Sequence, residues 1–185
     1  MRSLAHRGLS LSEIVVGEFL KATALVVLLS FAALVRIPLP FTPVPVTLQN
    51  FVVFLGAAFL GARPAVTAVL AYIGLGVAGV PVFSGWGAGA LYLLGPTGGY
   101  LIGFAAAAWI VAAGCRLNRR KSLSGFVASM IAGVIAVYAC GAFWLVLFYG
   151  WGMKNIYFLG ILPFVAPDVM KAVLAAVAVQ RFKKS

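Results

Sequence analysis

Acidic side chains are almost missing from this chain. Only Glu13, Glu18 and Asp168 occur in 185 residues, against 14 lysines and arginines. There is one histidine, His6, and there are two cysteines, Cys115 and Cys140. Each scarcity excludes a class of chemistry. A single carboxylate within the apolar runs cannot form the paired acids of an aspartic protease. His6 lies in the polar N-terminal stretch, so no Ser-His couple or metal-ligand cluster can assemble around it inside a membrane. The two cysteines fall within or at the edge of apolar runs, where they read as small hydrophobes rather than a disulfide framework or metal site. No Gly-x-x-x-x-Gly-Lys-Ser/Thr loop is present, so ATP hydrolysis by that phosphate cradle is not expected, and no enzyme activity or cofactor is.

Apolar residues are what the chain has in excess. They make up 64% of it, charged residues 9%, and the mean hydropathy is +1.12. Soluble domains carry roughly a quarter charged residues, so residues 1–185 read as one integral membrane domain, all-α, with room for about six spans of roughly 20 residues. The net charge of +11 would suggest nucleic-acid binding in a soluble protein. Here the cations cluster between apolar runs, where topology and anionic headgroups explain them, and no nucleic-acid partner is expected.

The expected helices are 19–35, 47–60, 64–79, 96–115, 123–149 and 157–179. Residues 1–18 form a polar segment without the charged-then-apolar plan of a signal peptide. Prolines 38, 40, 43 and 45 predict a stiff extended link after the first helix. The second and third helices are short for spans. Residues 80–94 carry no charge and are dense in glycine, which predicts a loop, re-entrant or interfacial. Small residues recur at every fourth position, at Gly95, Gly99, Gly103 and Ala107 and again at Ala128, Ala132, Ala136 and Cys140, a spacing that lets helices approach closely in lipid. With six spans both termini share a side. That side receives most of the cations, among them Arg63, Arg116, Arg119, Arg120, Lys121, Arg181, Lys183 and Lys184, whereas Arg36 and Lys154 fall on the other. The positive-inside rule then places both termini in the cytoplasm and turns the proline link, the glycine loop and the start of the last helix outward.

The last run, 157–179, contains Asp168 and Lys171 and no other charge. Ionised groups at bilayer depth are costly and commonly mark a ligand or ion pathway, and this spacing puts both on one helix face. Pro167 suits a first helical turn, which would set Asp168 near a positive helix end. A carboxylate only accepts and an ammonium only donates, so the pair fits a ligand head with N–H donors beside a carbonyl, such as a cyclic urea. The competing reading is an ion pair that staples helices. In the glycine loop, Phe83 and Trp86 could wall a pocket for an apolar ring, while Ser84, Gly85, Gly87 and Gly89 offer polar groups and close backbone approach. A plain interfacial loop with a belt aromatic explains the same residues. Gln49 offers an amide at the outer end of the second helix, where helix-end solvation is equally fitting. Tyr100 and Tyr157 fit either a pocket or an interfacial belt.

Four separated segments then agree with one family. They are Arg36-Ile37-Pro38-Leu39-Pro40 continuing to Pro43-Val44-Pro45-Val46-Thr47-Leu48-Gln49; Gly79-Val80-Pro81-Val82-Phe83-Ser84-Gly85; Leu94-Gly95-Pro96-Thr97-Gly98-Gly99-Tyr100-Leu101; and Pro163-Phe164 through Pro167, Asp168 and Lys171. In order and spacing they resemble BioY, the biotin-binding S component of energy-coupling factor (ECF) transporters, from the first helix to the last. The resemblance implies a six-helix S-component fold in a bacterial or archaeal plasma membrane. It implies capture of biotin from outside, and delivery inward by a transmembrane coupling protein with two cytoplasmic ATPases, the S subunit tipping over in the membrane lipid to release its vitamin. By resemblance Asp168 and Lys171 fall on the family's polar pair, residues 83–89 on its ligand-covering loop, and the proline link on its outer lid. The chain departs from the family where Trp86 and Ala88 interrupt the glycine run. It also departs where Ala22, Val26 and Ser30 stand in place of an Ala-x-x-x-Ala docking face.

The ureido ring of biotin offers two N–H donors, which Asp168 could accept, and a carbonyl; Lys171 could donate to that carbonyl or to the valerate carboxylate, and the thioether ring would want Phe83 or Trp86. An S component for another small vitamin or precursor, and a structural membrane protein whose pair only joins helices, are the alternatives. Asp168→Asn is expected to weaken biotin binding by about 1–3 kcal/mol, one hydrogen bond to a charged group; unchanged affinity by calorimetry would remove Asp168 from the site.

Overall fold

The computed structural model describes residues 11–184. The expected polar segment therefore lies outside the described residues over 1–10, and from Leu11 onward it is already helix. The element order is α1 (Leu11–Leu34), β1 (Arg36–Leu39), β2 (Thr42–Thr47), α2 (Gln49–Leu60), α3 (Ala62–Val77), α4 (Ala90–Leu93), α5 (Gly98–Leu117), α6 (Leu123–Tyr149), a short turn α7 (Met153–Asn155), a π-helical segment (Ile156–Ile161) and α8 (Leu162–Lys184).

The chain is mostly helical, as expected, and four stretches are long and apolar enough to cross a membrane: Val16–Leu34, Gly98–Leu117, Leu123–Tyr149 and Met153–Lys183. α2 and α3 have 12 and 16 residues, roughly 18 and 24 Å at about 1.5 Å per residue, short of a hydrocarbon core of about 30 Å. The all-α expectation needs one amendment. The proline link closes into an antiparallel hairpin, with Arg36 opposite Thr47, Ile37 opposite Val46 and Leu39 opposite Thr42. Pro38 lies at the irregularity of that register, where a residue without an N–H does least harm. The glycine-rich stretch is a loop, pinned by a single bridge between Phe83 and Gly87 and followed by the short α4.

A second expectation fails. Pro167 does not open a helix; it sits inside α8. The helix starts earlier because the π segment feeds straight into it, so Pro163, not Pro167, occupies the first turn. Asp168 is thus a mid-helix residue, and the helix dipole gives it no special support. Pro167 also leaves the carbonyl four residues back without its usual partner, a common origin of irregular helix at functional sites.

α5 and α6 form the tightest seam. The small-residue ridge of α5 meets α6 as its spacing predicts: a Cβ on Gly99 would come within 2.2 Å of Trp144 Cβ and 2.7 Å of the Cys140 carbonyl oxygen. On α6 the contacting face is turned from the expected one by about one residue, although Cys140 still meets α5 at Gly99 and Gly103. Ala128 is exposed, and Ser129, Gly133, Val137 and Gly141 are buried instead. α6 begins where Ser122 accepts from the Gly125 N–H at 3.2 Å and ends at left-handed Gly150, which is why its boundaries match the sequence expectation. Gly99→Ala is expected to cost about 1–3 kcal/mol by overpacking this seam. Gly74→Ala, where nothing lies within 4 Å of the new methyl, should leave the thermal midpoint unchanged or raised; equal melting of the two variants would refute the close seam.

Candidate functional site

α8 carries Asp168 and Lys171 three residues apart, both buried, with Nζ 2.6 Å from Asp168 Oδ1. Two other elements hold the pair in place. Lys171 Nζ also donates to the Thr47 carbonyl oxygen at 2.7 Å, where β2 ends and its ladder runs out. Tyr138, from the middle of α6, donates its hydroxyl proton to Asp168 Oδ2 at 2.9 Å. Each carboxylate oxygen therefore accepts one bond and keeps a lone pair, and the ammonium keeps one of its three protons.

These groups form one wall of a chamber completed by Gln49 and Asn50 at the start of α2, Ser84 and Tyr92 from the glycine loop and α4, Thr97 and Tyr100 at the start of α5, and apolar Val46, Leu101, Phe104, Val137 and Phe164. The chamber has a volume of about 50 Å³, room for a few waters, and it opens outward.

The polar lining is held by neighbours. Gln49 Nε2 donates to the Tyr72 hydroxyl at 2.9 Å, and that hydroxyl donates to the Val82 carbonyl oxygen at 2.9 Å. This fixes Gln49 by its nitrogen and leaves its oxygen for the chamber. Tyr100 donates to the Gly160 carbonyl oxygen in the π segment at 2.7 Å. Ser84 Oγ is the one buried side-chain polar atom among the described residues with no hydrogen-bond partner. Such an atom costs stability unless something bonds to it. Tyr92 donates to the Ser84 carbonyl oxygen at 3.1 Å. Burial pushes the Tyr92 phenol above its ordinary value, and Thr97, the Arg36 guanidinium and the nearby Ser84 side chain offset only part of this, so at neutral pH it remains a donor.

Gln49, Ser84, Tyr100, Asp168 and Lys171 thus meet at one chamber, whereas Phe83, Gly85, Trp86, Gly87 and Gly89 do not line it. Phe83 is fully buried one layer back, stacked on Tyr92 with ring centroids 4.9 Å apart and edge-on to Tyr72. Trp86 is 68% exposed, with φ at 63°, and faces an outer groove against α1. Gly85 has φ at 72°, and a Cβ there would lie 2.2 Å from an Arg36 guanidinium nitrogen. The loop therefore contributes Ser84 directly and supports Tyr92. Asn50, Tyr92, Thr97 and Tyr138 escaped the sequence reading. Tyr138 had a signal, a lone mid-helix hydroxyl in an apolar run; Asn50 had one as the neighbour of Gln49.

Outside the chamber lies a vestibule of about 300 Å³ between the hairpin and the start of α5, sharing Pro45, Ser84, Tyr92 and Thr97 with it and adding Arg36. Inner pair and outer guanidinium together are net positive, a field that suits a ligand with a neutral polar head and an anionic tail.

The chain is similar to known proteins over most of its length. The sequence model of the BioY family matches residues 5–185. The chain belongs to the BioY family. A relative from Thermotoga maritima, named biotin transporter BioY, is 40% identical over 184 residues, covering 100% of this chain and 97% of that protein. A probable biotin transporter BioY from Pyrococcus horikoshii is 36% identical over 148 residues, 80% of this chain and 86% of the other. Among solved structures, the crystal structure of the S-component for biotin from an ECF-type ABC transporter superposes with a TM-score of 0.85 at 26% identity, covering 96% of each chain. The BioY resemblance read from the four separated segments is borne out.

Removing the Tyr138 hydroxyl tests the support of the pair. Tyr138→Phe takes one charge-assisted bond from a buried carboxylate and is expected to lower stability by about 1.5–3 kcal/mol in detergent. An unchanged unfolding midpoint would mean the bond contributes nothing.

Proposed function

We propose that this chain is the biotin-capturing S component of an ECF-type transporter. It is a multi-pass plasma-membrane protein whose activity is transport rather than covalent catalysis: its relatives are named biotin transporters, and its structural neighbour is a biotin S component. The observation that carries the ligand reading is the unspent bonding capacity around Asp168 and Lys171 inside a chamber that opens outward. The ureido N–H groups bond to the free lone pairs of Asp168, and the ureido carbonyl accepts the remaining Lys171 proton. Asn50, whose side-chain amide makes no hydrogen bond to the described residues, and the unpaired Ser84 hydroxyl complete the polar shell. Phe104, Phe164 and Val137 pack on the thioether ring. The valerate runs outward, with its carboxylate at Arg36 in the vestibule.

In this reading the six helices α1, α2, α3, α5, α6 and α8 all cross the membrane, α2 and α3 through locally thinned bilayer. Both termini are cytoplasmic, because Arg63, Arg116, Arg119, Arg120, Lys121, Arg181 and Lys183 gather at the end away from the chamber. A transmembrane coupling protein and two cytoplasmic ATPases supply the energy. Membrane lipid surrounds the whole, and no cofactor is required.

Purified protein should carry a biotin mass in native mass spectrometry and be stabilised by biotin above other vitamins in a thermal-shift panel. A different vitamin winning would replace the ligand and keep the class. Arg36→Gln should weaken biotin binding about tenfold or more, the value of a charge-assisted bond, while leaving the neutral amide of biotin bound as tightly as before. Equal losses for acid and amide would remove the carboxylate from Arg36.

A further inference from the structure

The chamber occupies one end of the molecule. α2, α5 and α8 then run away from it, and where they end they leave a second, larger groove of about 840 Å³. Its wall is apolar and shallow because small side chains form its floor: Ala57 and Ala58 from α2, Ala112 and Ala113 from α5, with Phe59 and Trp109 standing up at its sides. Trp109 is 61% exposed, so nothing among the described residues covers it.

The rim has the opposite character. Arg116, Arg119 and Lys183 line the groove's mouth. Among the described residues the only salt bridge is Asp168–Lys171, so within them these cations have no carboxylate partner. Lys183 lies 5.9 Å from the centroid of the Phe126 ring, a contact that leaves its charge uncompensated. The carbonyl ends of the three helices supply only about half a negative charge each, less than the three full charges at the rim. The chain has no acidic residue between Glu18 and Asp168 with which to balance them.

An apolar trough capped by unpaired cations, at the basic end of a membrane protein, complements a single class of molecule on both counts. We propose that this groove is a binding site for one anionic phospholipid, an acyl chain lying along the alanine floor and the phosphate held by Arg116, Arg119 and Lys183. The charge supplies selectivity and the trough supplies residence: basic recesses between membrane helices recognise anionic headgroups, and each buried methylene adds to retention. The site goes beyond vitamin capture and does not depend on which vitamin is captured.

Native mass spectrometry of the full chain, titrated in detergent with phosphatidylglycerol or phosphatidylcholine of identical acyl chains, tests this. The wild type should retain one phosphatidylglycerol at least about tenfold more tightly than phosphatidylcholine. Arg116→Gln with Arg119→Gln and Lys183→Gln should abolish that preference. Arg63→Gln with Arg120→Gln, two cations of the same end that do not line the groove, should keep it. Ala113→Phe, which retains every cation and fills the trough, should weaken retention of both lipids. Retained biotin binding marks each variant as folded, and the Ala113 variant with the lipid comparison on wild type keeps the test decisive should the triple variant not fold. Equal retention of the two lipids by the wild type overturns the proposal, as does an equal loss in the Arg63 and Arg120 pair. A triple variant that keeps its lipid but fails to bind the coupling protein overturns it in favour of a protein-docking surface.

Discussion

The arrangement depends on one ammonium group. Lys171 shares its protons between the Asp168 carboxylate and the Thr47 carbonyl oxygen, joining α8 to the last residue of the hairpin, and Tyr138 brings α6 to the same carboxylate. Remove the lysine and a buried carboxylate keeps one partner; remove the aspartate and a buried cation is left with a carbonyl. Either is costlier than losing both. An apolar pair of similar volume would join these helices at least as well, so stability alone does not account for the charges. Their bonding is incomplete, which leaves lone pairs and a proton that a ligand can use.

Around that couple the polar lining is set from behind. Tyr72 holds Gln49, Phe83 stacks under Tyr92, and Arg36 lies over Gly85, a residue whose left-handed backbone leaves no room for a side chain. Of the two loop aromatics, Phe83 supports Tyr92 from behind and Trp86 lies in an outer groove, and neither lines the chamber. Specificity in a chamber this narrow comes from fixed positions, since a wall that cannot shift rejects a ligand whose donors and acceptors are misplaced.

Much of this was legible in the chain. The charge couple stood out because acidic residues are so few, and α6 because Ser122 and Gly150 mark its ends by local chemistry. The closely packed ridge on α5 followed from four-residue spacing alone. What escaped had a longer-range cause. Pro167 looks like a helix opener locally, and only the π segment upstream makes it an interior residue. Phe83 and Trp86 have the same attraction for a ring on paper; the positive φ at Trp86 turns one outward while the other is enclosed by Tyr72 and Tyr92. Tyr138 and Asn50 carry a local signal as polar groups beside apolar or site positions, but their neighbours in the chamber lie far along the chain, and no local window names those.

The π segment has one more consequence. Thr42 at the hairpin turn donates to the Leu159 carbonyl oxygen at 2.8 Å, and Tyr100 donates to that of Gly160. Consecutive carbonyls of one loosened turn thus anchor the hairpin turn and brace the neighbouring helix. The hairpin turn cannot move away from this segment without breaking that bond. A single neutral bond of this kind is worth about 1 kcal/mol, less than the charge-assisted bond by which Lys171 holds the other end of the hairpin at Thr47, so the turn is the looser of the hairpin's two attachments.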